Sequence, residues 1–290
     1  MIVKIFLINA FTDGLFSGGK AGVVILRHLG QEVFLQALAQ EMALPVTAYV
    51  LPHHDAFMVR YFTPQREIES ADYGALATAQ ALFGAGLAPD TRPVELLGRG
   101  GRRQVFRVGP RADGRLGLSL PQPKADRFSP AGESRLSATL GLAPEEVLAA
   151  FSLGSEQVLV CCRSLAGLKK VGSGLAALAA LAPASRLTLS AALDIGGRPG
   201  YTVRGFDSTG ELEEAPLNFE QHAILAPFWS ARLAAPKMEV HHQAARPCLL
   251  WAEISPPGPV LVSGHLNTIF KADPTLSELT DDQPPELMNF

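Results

Sequence analysis

Apolar and polar positions along the chain divide it into short strands and a few helices. Residues 2–10 are rich in β-branched side chains and read as a strand, followed by the turn-forming runs Thr12-Asp13-Gly14 and Ser17-Gly18-Gly19. Residues 21–26 are a second apolar run. Between Gln31 and Glu41, the side chains Val33, Phe34, Ala37 and Leu38 fall on one helical stripe with polar groups opposite. Residues 47–51 and 56–62 read as strands. Residues 73–84 form a proline-free stretch rich in Ala and Leu, a helix with Asp72 as its N-cap and Gly84 or Gly86 as its stop. Strands are expected at 94–97, 103–108 and 116–120.

Proline and polar residues cluster at 121–130, the best linker in the chain. Beyond it the pattern repeats, with helices expected at 131–140, 173–182 and 216–233. Strands are expected at 158–162, 186–193, 201–206, 249–254 and 260–262. Each half places a long apolar helix, 73–84 or 219–233, after a strand and a polar turn. The expectation is two similar α+β halves, residues 1–120 and 126–265, with a tail, 266–290, that can cross back to the first half.

Composition narrows the classes of function. The 290 residues carry 28 acidic and 25 basic side chains, a formal charge of −3, so charge gives no argument for nucleic acid or an anionic membrane. Hydrophobic residues make up 47% and charged ones 18%, enough material for a packed core. The densest basic run, Arg99, Arg102, Arg103 and Arg107, reads as a solvated strand face. No apolar stretch reaches the ~18 residues of a spanning helix, and the first ten residues lack the features of a signal peptide. Cys161 and Cys162 are adjacent and Cys248 stands alone, so no disulfide framework or metal spacing can be built. The expected compartment is the cytoplasm.

Four ordered segments carry a family resemblance. They are Asn9-Ala10-Phe11-Thr12-Asp13 with Phe16-Ser17-Gly18 and Ala21-Gly22-Val23-Val24; Phe62-Thr63-Pro64-Gln65-Arg66-Glu67; His222 with Leu225-Ala226-Pro227-Phe228-Trp229; and Arg246-Pro247 with Leu249-Leu250 and Glu253-Ile254. Together they resemble the phenazine-biosynthesis (PhzF-like) isomerase family, which shares its fold with diaminopimelate epimerases. The resemblance implies an α+β fold of two pseudo-symmetric halves, each a mixed sheet wrapped around a central helix. It places an active cleft between the N-terminal ends of those helices, with no organic cofactor or metal. A small-molecule ligand and a homodimer are the partners it admits.

The residues that the resemblance assigns to the chemistry differ. A glutamate that shuttles a proton between carbons of a small unsaturated acid precedes a Thr-Ala-aromatic strand in the family. Here Val46 precedes Thr47-Ala48-Tyr49, and a valine carries no proton. The family's Gly-His-Pro at the first helix matches Asp72-Tyr73-Gly74. Its Asp-Pro and Gly-Ser at the second match Ala215-Pro216 and Phe219-Glu220, and its Asn-Pro after Ser-Gly matches Gly19-Lys20. The paired cysteines of the epimerases have no counterpart near Tyr73 or Ala215. Scaffold residues such as Phe11, Thr63, Pro64, Glu67 and Trp229 remain. The cleft positions implied are Gly19, Val46, Asp72, Tyr73, Ala215, Asn218, Phe219 and Glu220.

Among ionisable candidates, Asp72 and Glu220 stand at helix ends where free N–H groups would otherwise attract a substrate carboxylate. Each also has a structural reading, Asp72 as a cap and Glu220 as a first-turn acid. His222, one turn into its helix, is a candidate proton carrier or a packed histidine. Tyr73 can donate through its hydroxyl or fill space, Lys20 reads as a surface lysine, and Cys248 has no mark of a nucleophile. Gly98-Arg99-Gly100-Gly101 lacks the following helix of a phosphate loop. The pairs His53-His54 and His241-His242 could meet a metal only across two loops. Three readings follow: a pseudoenzyme that keeps a binding role; an enzyme with chemistry rebuilt on Asp72, Tyr73, Glu220 or His222; and ordinary isomerase activity with its acid/base supplied elsewhere.

Overall fold

The computed structural model describes residues 2–28, 30–69, 71–98, 105–120, 123–171, 186–206, 219–255 and 258–273. The chain divides into two compact units. Unit 1 is drawn from Met1–Ala10, Lys20–Leu118 and Leu266–Phe290, and unit 2 from Phe11–Gly19 and Ser119–His265. The helix expected at 173–182, Ala215, Asn218 and most of the 98–103 segment lie outside the described residues.

Unit 1 contains β1 (Ile2–Ala10), β2 (Gly19–Leu26), α1 (Glu32–Met42), β3 (Val46–His53), β4 (Ala56–Phe62), β5 (Glu67–Ile68), α2 (Asp72–Gly84), β6 (Val94–Leu97), β7 (Val105–Pro110), β8 (Leu116–Leu120) and, from the far end of the chain, β17 (Leu266–Ala272). β2 runs parallel to β3 and β4 parallel to β6; β1–β17, β3–β4, β6–β7 and β7–β8 are antiparallel. The sheet wraps α2, which meets β1, β3, β7 and β17. That helix is apolar on nearly every side, and ten of its residues are buried, as a central helix requires. It ends as glycine chemistry dictates. Gly86 adopts φ +71°, its N–H donates to Phe83 O, and the Leu87 N–H reaches back to Leu82 O.

The helix starts differently from the expectation. Ala71 is the N-cap, extended at φ −152° and ψ 102°, and Asp72 is the first helical residue, with no side chain capping the turn. Its carboxylate stands in the first turn, where the helix dipole favours an acidic group.

The Phe62-Thr63-Pro64-Gln65-Arg66-Glu67 segment proves to be a clamped turn. Thr63 N–H donates to Arg66 O, and Gln36 Nε2 donates to the carbonyls of Thr63 and Pro64. Buried Arg60 closes it, with Nε 2.7 Å from Glu67 Oε1 and a terminal nitrogen 2.6 Å from Oε2 and 2.9 Å from Glu32 Oε2. Removing one partner would leave a buried guanidinium undercompensated. Glu67→Gln is therefore expected to cost about 2–4 kcal/mol in urea unfolding at neutral pH. A loss under about 0.5 kcal/mol, the scale of an exposed pair, would contradict this account.

Unit 2 contains β9 (Ala125–Arg127), α3 (Pro130–Thr139), β10 (Val147–Leu153), β11 (Gln157–Cys162), α4 (Leu165–Lys170), β12 (Arg186–Ile195), β13 (Arg198–Phe206), α5 (His222–Leu233), β14 (Lys237–His242), β15 (Cys248–Ile254) and β16 (Val260–Gly264). The strands pair in sequence order; β11–β12 and β13–β14 are parallel and the other pairs antiparallel. On one face Leu136, Leu140, Leu168 and Val171 pack on Val158, Val160, Leu187, Leu189 and Phe206. α5 lies against β13 to β16. Three residues of the expected linker form β9, which pairs with β10. Among the described residues, no helix is long and apolar enough to cross a membrane.

Candidate functional site

In unit 1 the candidates surround the start of α2 and the start of β3. Val46 opens β3, pairs with Ala21 across the parallel ladder and is fully buried. Asp72 and Tyr73 are buried as well. Gly74 is closely packed: a Cβ there would lie 3.1 Å from the Ala71 Cβ and 3.2 Å from the Tyr61 ring, a tight fit. Burial above all, and then the charge of Asp72, pushes the Tyr61 hydroxyl well above its ordinary range, against a hydrogen bond with Thr78. Thr78 Oγ1 in turn donates to Gly74 O at 2.8 Å. Asp72 thus belongs to a buried polar group with tyrosine, not to an exposed anion.

In unit 2 the segment from Phe11 to Gly19 is held by hydrogen bonds along its length. Leu249 N–H donates to Phe11 O, and the Thr12 N–H and hydroxyl both reach His265 O. Gly18 N–H meets Pro247 O, while Arg246 donates to the carbonyls of Phe16 and Gly18. Gly19 N–H points at the Cys248 sulfur, whose thiol burial pushes up to about 12. That thiol is no nucleophile at neutral pH. Phe11 itself sits at φ +59°, a left-handed conformation that a bulky residue keeps only when its surroundings enforce it.

The ring of Phe11 packs on Phe219, centroid to centroid 4.5 Å, and Phe219 is fully buried. Phe219 in turn stacks on His222 at 5.6 Å and meets His242 edge-on at 5.4 Å. Beneath it runs a row of hydrogen bonds. Tyr201 Oη lies 2.7 Å from His222 Nδ1, and His222 Nε2 lies 2.7 Å from His242 Nε2. Burial, and secondarily His242, holds the His222 imidazole well below its ordinary range; burial alone lowers His242 to about 3. Both rings are neutral at pH 7, and both nitrogens of His222 are engaged.

Two expectations are corrected. α5 starts at His222, so this histidine opens the helix instead of lying a turn inside it, and Glu220 stands in the preceding turn. That turn also consumes the helix's first donors. The N–H groups of His222, Ala223 and Ile224 bond to the carbonyls of Phe219, Glu220 and Gln221 at 2.8, 2.9 and 3.1 Å. Among the described residues, no group of three or more His, Cys, Asp or Glu side chains gathers at either histidine pair. His53 and His54 close an exposed hairpin, and His241 turns to Glu239 at 2.8 Å while its neighbour His242 faces the core.

That Tyr201 and His242 are the partners of His222 was not foreseen: the sequence reading had Tyr201 only at the head of a strand and His242 only in a histidine pair. A signal existed in the strand period, for Met238, Val240 and His242 share one face of β14 and are all buried.

Neutral histidines in the fold below favour acid sensitivity. A histidine whose pKa is depressed by folding lends stability that is whole above the unfolded value of about 6.5 and is lost as pH falls. Unfolding free energy is expected to fall by a few kcal/mol between about pH 6.5 and about pH 3, beyond the share of carboxylates. His242→Gln should flatten that slope in urea titrations; an unchanged slope would refute this.

The two units define the fold class first: α+β, with mixed sheets around central helices, as in the epimerases. A probable proline racemase of Agrobacterium radiobacter shares it at TM-score 0.57, with 8% identity over 96% of this chain and 94% of that one. A crystal structure of a PhzF-family phenazine biosynthesis protein from Enterococcus faecalis matches at TM-score 0.77 and 23% identity, covering 94% and 99% of the two chains. In sequence, an uncharacterized isomerase of Pseudomonas aeruginosa is 28% identical over 265 residues, 91% of this chain and 95% of the relative. The profile of the family described as "Phenazine biosynthesis-like protein" matches residues 8–265, and the chain belongs to that family.

Proposed function

We propose that this PhzF-like isomerase-family protein is a pseudoenzyme, one that retains a small-molecule binding role without the family's proton transfer. The observation that carries the reading is the Phe219–Gln221 turn. Its carbonyls take the first three N–H groups of α5, and its aromatic ring is buried where the resemblance places a small glycine. Helix donors that are already bonded are not available to a substrate carboxylate. Val46, buried in the β2–β3 ladder, offers no proton at the position matched to the acid/base. His222 is no substitute, because it is neutral, buried and bonded at both nitrogens.

A second reading is favoured by one feature, the buried Asp72 beside Tyr61 in unit 1. In it the chemistry is rebuilt as proton transfer on a less anionic small molecule, with Asp72 as the base. Deuterium wash-in from solvent into a panel of small unsaturated and amino acids separates the two. The pseudoenzyme reading expects no incorporation above the buffer control, together with a thermal shift from at least one small molecule. Incorporation that disappears in Asp72→Asn or His222→Gln would overturn it.

A further inference from the structure

The Tyr201–His222–His242 row has no part in the proposed function, yet its geometry is restrictive. Two imidazole nitrogens 2.7 Å apart share a single proton, one donating and the other accepting. With Tyr201 donating to His222 Nδ1, His222 Nε2–H is the donor and His242 Nε2 the acceptor, and His242 carries its own proton on Nδ1. Both rings are then neutral, and both accepting nitrogens of the row are occupied. One additional proton stays in the row only by reversing it, with His242 Nε2–H donating to His222 Nε2 and His222 Nδ1–H to Tyr201 Oη; with both rings protonated, two N–H groups face each other at 2.7 Å and the shared hydrogen bond breaks.

The surroundings offer little to stabilise a charge. Facing the row are Tyr201 on β13, Cys161 on β11 behind it and Cys248 opposite His242 on β15, while Glu220 follows Phe219 in the turn. Among the described residues, no carboxylate forms an ion pair with either ring; the charge felt by His222 is that of His242. The same pair supports the turn. Phe219 packs against both rings, and His222 N–H donates to Phe219 O at 2.8 Å.

We propose that the His222–His242 pair is an acid-operated latch, closed by one shared proton and opened when both rings are protonated, which releases the Phe219–Gln221 turn from the start of α5 while the strands beneath stay folded. Burial keeps both rings below the ordinary histidine range, so the latch is closed at neutral pH. The inference rests on the proposed function only for what the turn covers.

Amide hydrogen exchange on the full chain tests it, between about pH 7 and about pH 4 and corrected for intrinsic rates. The Ala223, Ile224 and Leu225 amides, which bond back into the turn, are expected to lose protection by about tenfold or more while β11 to β13 keep theirs. Joint loss of both sets, or no local loss before acid unfolding, overturns the latch. In His242→Gln the amide keeps a hydrogen bond to His222 but takes up no proton, so opening should move to lower pH and become less steep; an unchanged transition overturns it. Should that variant not fold, imidazole nitrogen NMR on the wild type decides. Both rings neutral at pH 7 and charging together with amide release supports the latch, and a ring already charged there refutes it. No substrate enters these readouts, so wash-in activity would sink the pseudoenzyme reading and leave the latch standing.

Discussion

Phe219→Ala is expected to lower the unfolding free energy of unit 2 by about 3–5 kcal/mol, the range for emptying a fully buried aromatic position. Three neighbours would lose their contact at once. Phe11 would keep its left-handed backbone, φ +59°, without the ring that meets it, and the His222 and His242 rings would lose the face and edge that pack on them. Collapse into the space is restricted from the Phe11 side, because Gly264 already lies so close that an added Cβ would come within 2.4 Å of the Phe11 ring. Both tryptophans, Trp229 and Trp251, belong to unit 2, so their fluorescence in urea reports on that unit. A loss below about 1 kcal/mol would mean the ring is loosely held, and the case for a built-in closure of the α5 start would fall with it.

Strand boundaries were legible where apolar and β-branched residues alternate without interruption. Ala56–Phe62, Val94–Leu97 and Leu116–Leu120 match their expected bounds. Strands without that signature escaped. β10, Val-Leu-Ala-Ala-Phe-Ser-Leu, opens with residues that suit a helix, and only its pairing with β9 and β11 makes it a strand. β14, Lys-Met-Glu-Val-His-His, looks polar until its alternate residues are seen to be buried. β17 is largely exposed and owes its place to β1, more than 250 residues earlier, a pairing no local pattern encodes.

Helix ends were harder still. Ala71 caps α2 because its extended backbone suits the position, although Asp72 has the better capping side chain. In α5 the apolar run extends back to Phe219, but that segment is a tight turn bonded carbonyl by carbonyl to the helix it precedes. The site was legible in part for the same reason. Local segments pointed to His222, Phe219 and Val46, whereas the groups that decide what His222 can do are 21 and 20 positions away, Tyr201 and His242. Only the folded strands bring them together.

Val46→Glu, which puts a carboxylate where the resemblance assigns the acid/base, is expected to destabilise the protein by about 4 kcal/mol or more at neutral pH and to confer no wash-in activity. Val46 is fully buried where β3 meets β2, so a carboxylate there loses its water. Its pKa would rise in the folded state, and the linkage then runs opposite to that of the histidines. Such a group is least costly below about pH 4, where both states hold the proton, and the cost grows as pH rises toward the folded value. Urea unfolding of wild type and variant at several pH values should therefore diverge upward in pH, with the gap widest where the carboxylate must ionise on unfolding. The two outcomes are sharply separated. A variant as stable as wild type at pH 7 would show that the start of β3 faces water, and deuterium incorporation by that variant would show a site lacking only its acid/base. Parallel loss of stability with no exchange is what a valine built into the sheet requires.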